Sequence, residues 1–213
     1  MECISAGGWA INCFIIMPGR VFKEKMFDNN LPANTKIRVS EKGYTDDETA
    51  LQWLWHFHNE TKGRMRGRYR LLILDGHQSH LTYEFLSTAE SLDIICFCLL
   101  AHSTHFTQPL DVACFQIERH WHNRSIEDKV RAGELNFSKY TFLQVLNQIR
   151  EKTFTQRAIR SAFRRAGVVP HNSERVLAAM KLTDAPTVGA TEVGGRIYNH
   201  DPSDPSQSIR VPV

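Results

Sequence analysis

Apolar positions along this chain follow two rhythms. The runs "WAINCFIIM" (9–17), "LLIL" (71–74) and "IICFCLL" (94–100) read as strands. The last two carry almost no polar residue, which predicts strands buried on both faces. "ISA" (4–6) precedes the first run, and Gly7-Gly8 between them signals a hairpin. "KIRVS" (36–40) is a further short strand. The other rhythm is helical. In "TDDETALQWLWHFHNETKG" (45–63), Thr45 and Glu48 fit a capping box, and Leu51, Leu54, Trp55 and His58 fall on one face. Helices are also predicted over about 82–92, from near Asp111 to Gly133, over 139–153 and over 155–166, the last stopped by Gly167 and Pro170. Helices alternating with apolar strands imply an α/β fold, with a partly parallel sheet covered on both faces.

The last stretch differs. From about Thr183, "TDAPTVGATEVGG" and "DPSDPSQS" are rich in Pro, Gly, Ser and Asp. That predicts a disordered tail over 183–213, after a helical extension over 171–182 and one domain over 1–170. The full chain has 213 residues, 42% of them hydrophobic, and a net charge of +3. The charge permits an acidic partner without demanding one. The start is apolar but lacks the basic segment of a signal peptide, and no run is long enough to cross a bilayer. The cysteines number 5 and form no CxxC pair, so reduced thiols are expected and zinc is not indicated.

The candidate chemistry sits at strand ends, where α/β sheets collect functional groups. Asp75 closes "LLILD". Asp111 follows the next strand, at a helix start. The interval holds a helix, so both carboxylates could return to one sheet edge. Two carboxylates roughly 5 Å apart repel by about 3 kcal/mol at an effective dielectric near 20, and a divalent cation removes that cost. On spacing alone the plainer readings stand beside it: Asp111 as a helix cap, Asp75-Gly76 as a turn. His77 and His80 lie beside Asp75, where they can bond within the turn. "KGRMRGRYR" (62–70) either attracts phosphate or is a solvated loop. Arg157, Arg160 and Arg164 form a basic face on the helix whose other side carries Ile159, Ala162, Phe163 and Ala166.

"LLILDGHQSH" (71–80), "HSTHFTQPLDVACFQIERHWH" (102–122) and "TFTQRAIRSAFRRAGVVP" (153–170) resemble the DDE endonuclease domain of pogo, Tigger and Jerky-type transposases. "MFDNNLPANTKIRVSEKGYTDDETALQWLWHF" (26–57) is similar to the fungal members. The resemblance implies a ribonuclease H-like mixed sheet flanked by helices, acting on DNA in the nucleus and open to homo-oligomer formation. Asp75 would be the second and Asp111 the third of three acids holding Mg²⁺ or Mn²⁺, with His77, His80 and Gln108 on the substrate. The family's first acid lies on a strand upstream of "ISA", and Glu2 does not match it. The expectation is therefore a domain lacking its central first strand and first acid, marginal in stability and impaired in cleavage. A non-catalytic DNA- or protein-binding module is the alternative.

Overall fold

A computed structural model of the chain describes residues 1–76, 78–100 and 103–184. The predicted disordered tail lies almost wholly outside them. In chain order the elements are β1 (Ile4–Ser5), β2 (Trp9–Ala10), β3 (Phe14–Pro18), β4 (Lys36–Ser40), α1 (Asp47–Thr61), β5 (Arg70–Leu74), α2 (Tyr83–Ser91), β6 (Ile94–Cys98) and α3 (Thr104–Thr107). A π-helical turn (Leu110–Cys114) runs into α4 (Phe115–Arg131), and α5 (Lys139–Thr153), α6 (Gln156–Arg165) and α7 (Ser173–Asp184) follow.

The fold is α/β, as the alternation of elements predicts. Among the described residues the strands form separate two-stranded ladders: β1 with β2 antiparallel, β3 with β4 parallel, and β5 with β6 parallel. No ladder joins β1 to β5. The "KIRVS" strand is β4, in register with β3 from Phe14 opposite Lys36 to Pro18 opposite Ser40.

Two-residue periodicity in β3 sets the layers. Phe14 and Ile16 face a core built with Trp53, Leu54 and Phe57 of α1 and Phe85 of α2. Cys13, Ile15 and Met17 face the opposite core, closed by Leu143 and Leu146 of α5. The strand layer thus lies between α1 and α2 on one side and α5 on the other.

The hairpin carries a bulge. Ile11 N–H donates to Cys3 O (3.1 Å) and Phe14 N–H to Met1 O (3.2 Å), so Asn12 and Cys13 together stand opposite Glu2. The bulge is fastened from both sides. His56 Nε2 of α1 donates to Asn12 O at 2.7 Å, and Asn12 Nδ2 donates to Glu60 Oε2 at 2.9 Å. From the other side, Arg150 of α5 donates to Ile11 O at 2.7 Å.

Three expectations are corrected. The α1 cap is Asp46, not Thr45: its carboxylate accepts the Thr49 N–H at 2.7 Å. The buried face of α1 is Ala50, Trp53, Leu54 and Phe57, and Trp55 turns outward. β5 and β6 are buried on one face only. Leu72, Leu74 and Ile94 are 4%, 6% and 3% exposed, while Leu71, Ile95 and Phe97 are 63%, 50% and 56% exposed. The reason is the placement of helices: α1 and α2 share one side of this ladder, and the helices after β6 pack chiefly on one another.

Candidate active site

The carboxyl end of β5 is held by its partner strand. Leu74 lies opposite Cys98, and Leu99 N–H donates to Leu74 O at 2.8 Å. Asp75 follows immediately. The chain then turns through a 3₁₀ segment (Gln78–His80) that brings His80 back, its Nδ1 3.0 Å from Asp75 Oδ1. The His80 ring is buried and packs on Phe85 with centroids 5.6 Å apart. The Asp75 carboxylate is 46% exposed, so the pair presents an acid oriented from behind by an imidazole. His77 lies outside the described residues.

The predicted helix from Asp111 begins as the π turn, and Asp111 lies inside it. It caps nothing: Pro109 is the cap position, without a side-chain bond. The Asp111 side chain is half-buried and makes no hydrogen bond or ion pair among the described residues. π turns recur at functional sites because they re-aim side chains out of helical register. Gln108 ends α3, and its carbonyl accepts the Val112 N–H at 3.0 Å. Its Oε1 is buried without a hydrogen-bond partner among the described residues. A buried acceptor left so is destabilising by about 1–3 kcal/mol, which marks Gln108 as a residue with a donor to find.

A second polar centre escaped the sequence reading. Arg150 grips Glu2 through two bonds of 2.8 Å, with both side chains about nine-tenths buried. Burial works against the Arg150 charge; the bond from Glu2 overcomes it and holds the guanidinium pKa above its usual value. Glu118 of α4 stands nearby. Burial, then the Glu2 charge, pushes its pKa up. Burial also pushes the Cys114 thiol up to about 11 and the Cys3 thiol up to about 12, so neither is a thiolate at neutral pH. The signal that was available is Arg150 itself, seven positions after Leu143 and four after Leu146, on a face otherwise apolar.

Among the described residues no three His, Cys, Asp or Glu side chains gather to hold a metal. Asp75 with His80 is one group, Glu2 with Arg150 and Glu118 another.

Residues 1–163 match the family model for the DDE superfamily endonuclease. The chain belongs to this family. Two curated proteins are similar to it. One, from Cochliobolus lunatus, bears the name MFS-type transporter clz9 and is 33% identical over 182 residues, which cover 85% of this chain and 20% of that protein. The other, the human Pogo transposable element with ZNF domain, is 26% identical over 121 residues, 54% of this chain and 8% of its own length. The chain therefore spans a small part of either relative. No solved structure matches it. Within the DDE endonuclease match lie Asp75, His80, Gln108 and Asp111, together with the Glu2–Arg150 pair.

Proposed function

We propose that this chain is a transposase-type endonuclease domain that acts on DNA in the nucleus, with Asp75 and Asp111 as two of the acids that hold Mg²⁺ or Mn²⁺ against a phosphodiester. The observation that carries the reading is the Asp75–His80 pair at the carboxyl end of a parallel strand, in a chain whose first 163 residues match the endonuclease family. The chemistry of the two donors suits such a cation: both are hard carboxylate oxygens, one oriented by His80 and one without a protein partner among the described residues. A bound cation supplies Lewis-acid stabilisation of the charge that builds on the phosphodiester. His80 holds the Asp75 carboxylate in one orientation, and Gln108 Oε1 accepts a donor from substrate or water. A ribonuclease H-like sheet is the arrangement we infer for the catalytic unit.

Glu2 does not serve as the third acid, because Arg150 holds both of its oxygens. With Glu2 so engaged, the acids proposed here are two, Asp75 and Asp111. The expected result is DNA binding without nicking of supercoiled plasmid in Mg²⁺ or Mn²⁺. Nicking that Asp75→Ala abolishes would show that another acid completes the site and would end the two-acid reading. The same engagement of Glu2 favours the second reading, a binding module without catalysis. The name of the fungal relative suggests transport, but no helix among the described residues is long and apolar enough to cross a membrane.

A further inference from the structure

The outer edge of β4 is open. Lys36 N–H donates to Cys13 O at 3.3 Å, and Ser40 O accepts the Gly19 N–H at 2.9 Å. Backbone groups alternate sides along a strand. Lys36, Arg38 and Ser40 therefore bond to β3, while the N–H and C=O of Ile37 and Val39 point away from it. Among the described residues these outward groups find no hydrogen-bond partner.

A cleft of about 630 Å³ lies along this edge, between β4 and one face of α1. Lys36 and Arg38 line its strand side, and Gln52, Trp55, Asn59 and Lys62 its helix side. The last four recur at helical spacing, so they share one side of α1 and the turn after it, and all four are exposed. The cleft is cationic. Arg38 is held by Glu48 at 2.9 Å, but Lys36 and Lys62 make no ion pair among the described residues. Lys62 has only the Asn59 side chain, at 3.0 Å. Glu60 also lines the cleft, with its carboxylate turned to Asn12, and the lysines remain in excess. On the other side of β4, Ile37 and Val39 are partly buried on the core under α5. A strand laid along the edge has one face against two lysines and an indole. Its other face lies beside two branched apolar side chains.

We propose that the β4 edge takes up an extended acidic segment of a partner protein as an added strand, its residues alternating acidic and β-branched. Main-chain bonds to Ile37 and Val39 hold the segment. The alternation selects it, with carboxylates towards Lys36 and Lys62 and branched residues beside Ile37 and Val39. A second copy of this chain is a poorer occupant. Antiparallel pairing of two β4 edges centred on Arg38 sets Arg38 against Arg38, and centred on Ile37 sets Arg38 against Lys36, so like charges stand opposite each other. The surface shares no residue with the Asp75–His80 pair or with Asp111.

The test uses a fluorescein-labelled peptide of alternating Val and Glu, kept at trace concentration so that it does not pair with itself. The 213-residue chain is titrated into it and anisotropy is read, beside the Val–Lys counterpart. The Val–Glu peptide is expected to bind at least about tenfold tighter than the Val–Lys peptide, and Lys36→Glu with Lys62→Glu should reverse that order. Val39→Pro removes an outward N–H and no bond to β3, and should weaken Val–Glu binding about tenfold. Amide exchange by NMR reads the mode on the unmodified chain. Saturation with Val–Glu peptide should slow the Ile37 and Val39 amides at least about tenfold and leave Lys36 and Arg38, already bonded to β3, unchanged. Equal binding of the two peptides, binding of neither, or unchanged exchange at Ile37 and Val39 would each overturn the proposal. So would a concentration-dependent dimer of the unliganded chain that Val39→Pro abolishes, since the edge would then belong to a second copy.

Discussion

Glu118 is a carboxyl that the fold holds in an unfavourable state. Its pKa is raised above the ordinary glutamate value first by burial and then by Glu2. The folded chain therefore binds this proton more tightly than the unfolded chain. Stability attributable to Glu118 falls as pH rises through the unfolded value of about 4.5 towards the folded one, and the penalty is fully present above that window. Glu118→Gln is expected to raise the urea midpoint at pH 7, with the gain shrinking below about pH 4.5. An equal gain at both pH values would mean the charge is not responsible. Arg150 gives the opposite case. Arg150→Ala leaves Glu2 buried and unpaired and should be destabilising by about 3–5 kcal/mol, whereas Arg150→Met with Glu2→Gln should recover much of the loss. Urea titration of the single and double variants checks this. These residues also show where sequence reading stops. Asp75 stood out as a candidate because a charge ended an apolar run, and Asp111 because it followed the next one. Glu2 and Arg150 lie 148 positions apart, and no local spacing announces their pairing.

At the scale of elements, the boundaries that could be read were those set by a single unambiguous cap. Ser138 begins α5 by accepting the Thr141 N–H, and Thr155 begins α6 in the same way. Gly167 ends α6 region with φ of +66°, which a glycine adopts without strain. The start of α1 was ambiguous because "TDDE" offers three successive acceptors, and hydrogen bonding picked Asp46. Its face slipped for a related reason: Leu51 and Trp55 repeat with helical spacing as well as Ala50, Trp53 and Phe57 do, and only the core selects between them. Asp46→Ala should be destabilising by about 1 kcal/mol, through loss of the cap bond to Thr49, and Thr45→Ala by less than about 0.5 kcal/mol. Thermal melts of the two variants distinguish the assignments, and a larger effect at Thr45 would restore the capping box. The π turn had no sequence signature at all. "QPLD" reads as an ordinary helix entry, and the wider turn is seen only in the fold, where Leu110, Ala113 and Cys114 pack against Ala162 of α6.

At the scale of the molecule, an apolar run cannot say how many layers will cover it. "LLIL" and "IICFC" look the same whether helices lie on one side of the ladder or both. Here α1 and α2 take one side, and Leu71, Ile95 and Phe97 are left facing outward on the other. That asymmetry separates two kinds of substitution within adjacent positions. Leu72→Ala opens a cavity under α1 and should be destabilising by about 2–5 kcal/mol. Leu71→Thr, Ile95→Thr and Phe97→Thr together keep residues that suit strands and remove only exposed apolar surface. Their combined effect on unfolding free energy should stay within about 1.5 kcal/mol, in line with substitutions at exposed positions. The same triple variant should bind less of a hydrophobic dye and sediment with less self-association, because contiguous exposed apolar surface drives both. A triple variant as unstable as Leu72→Ala would show that the outward face is covered in solution, and the one-sided ladder would have to be abandoned.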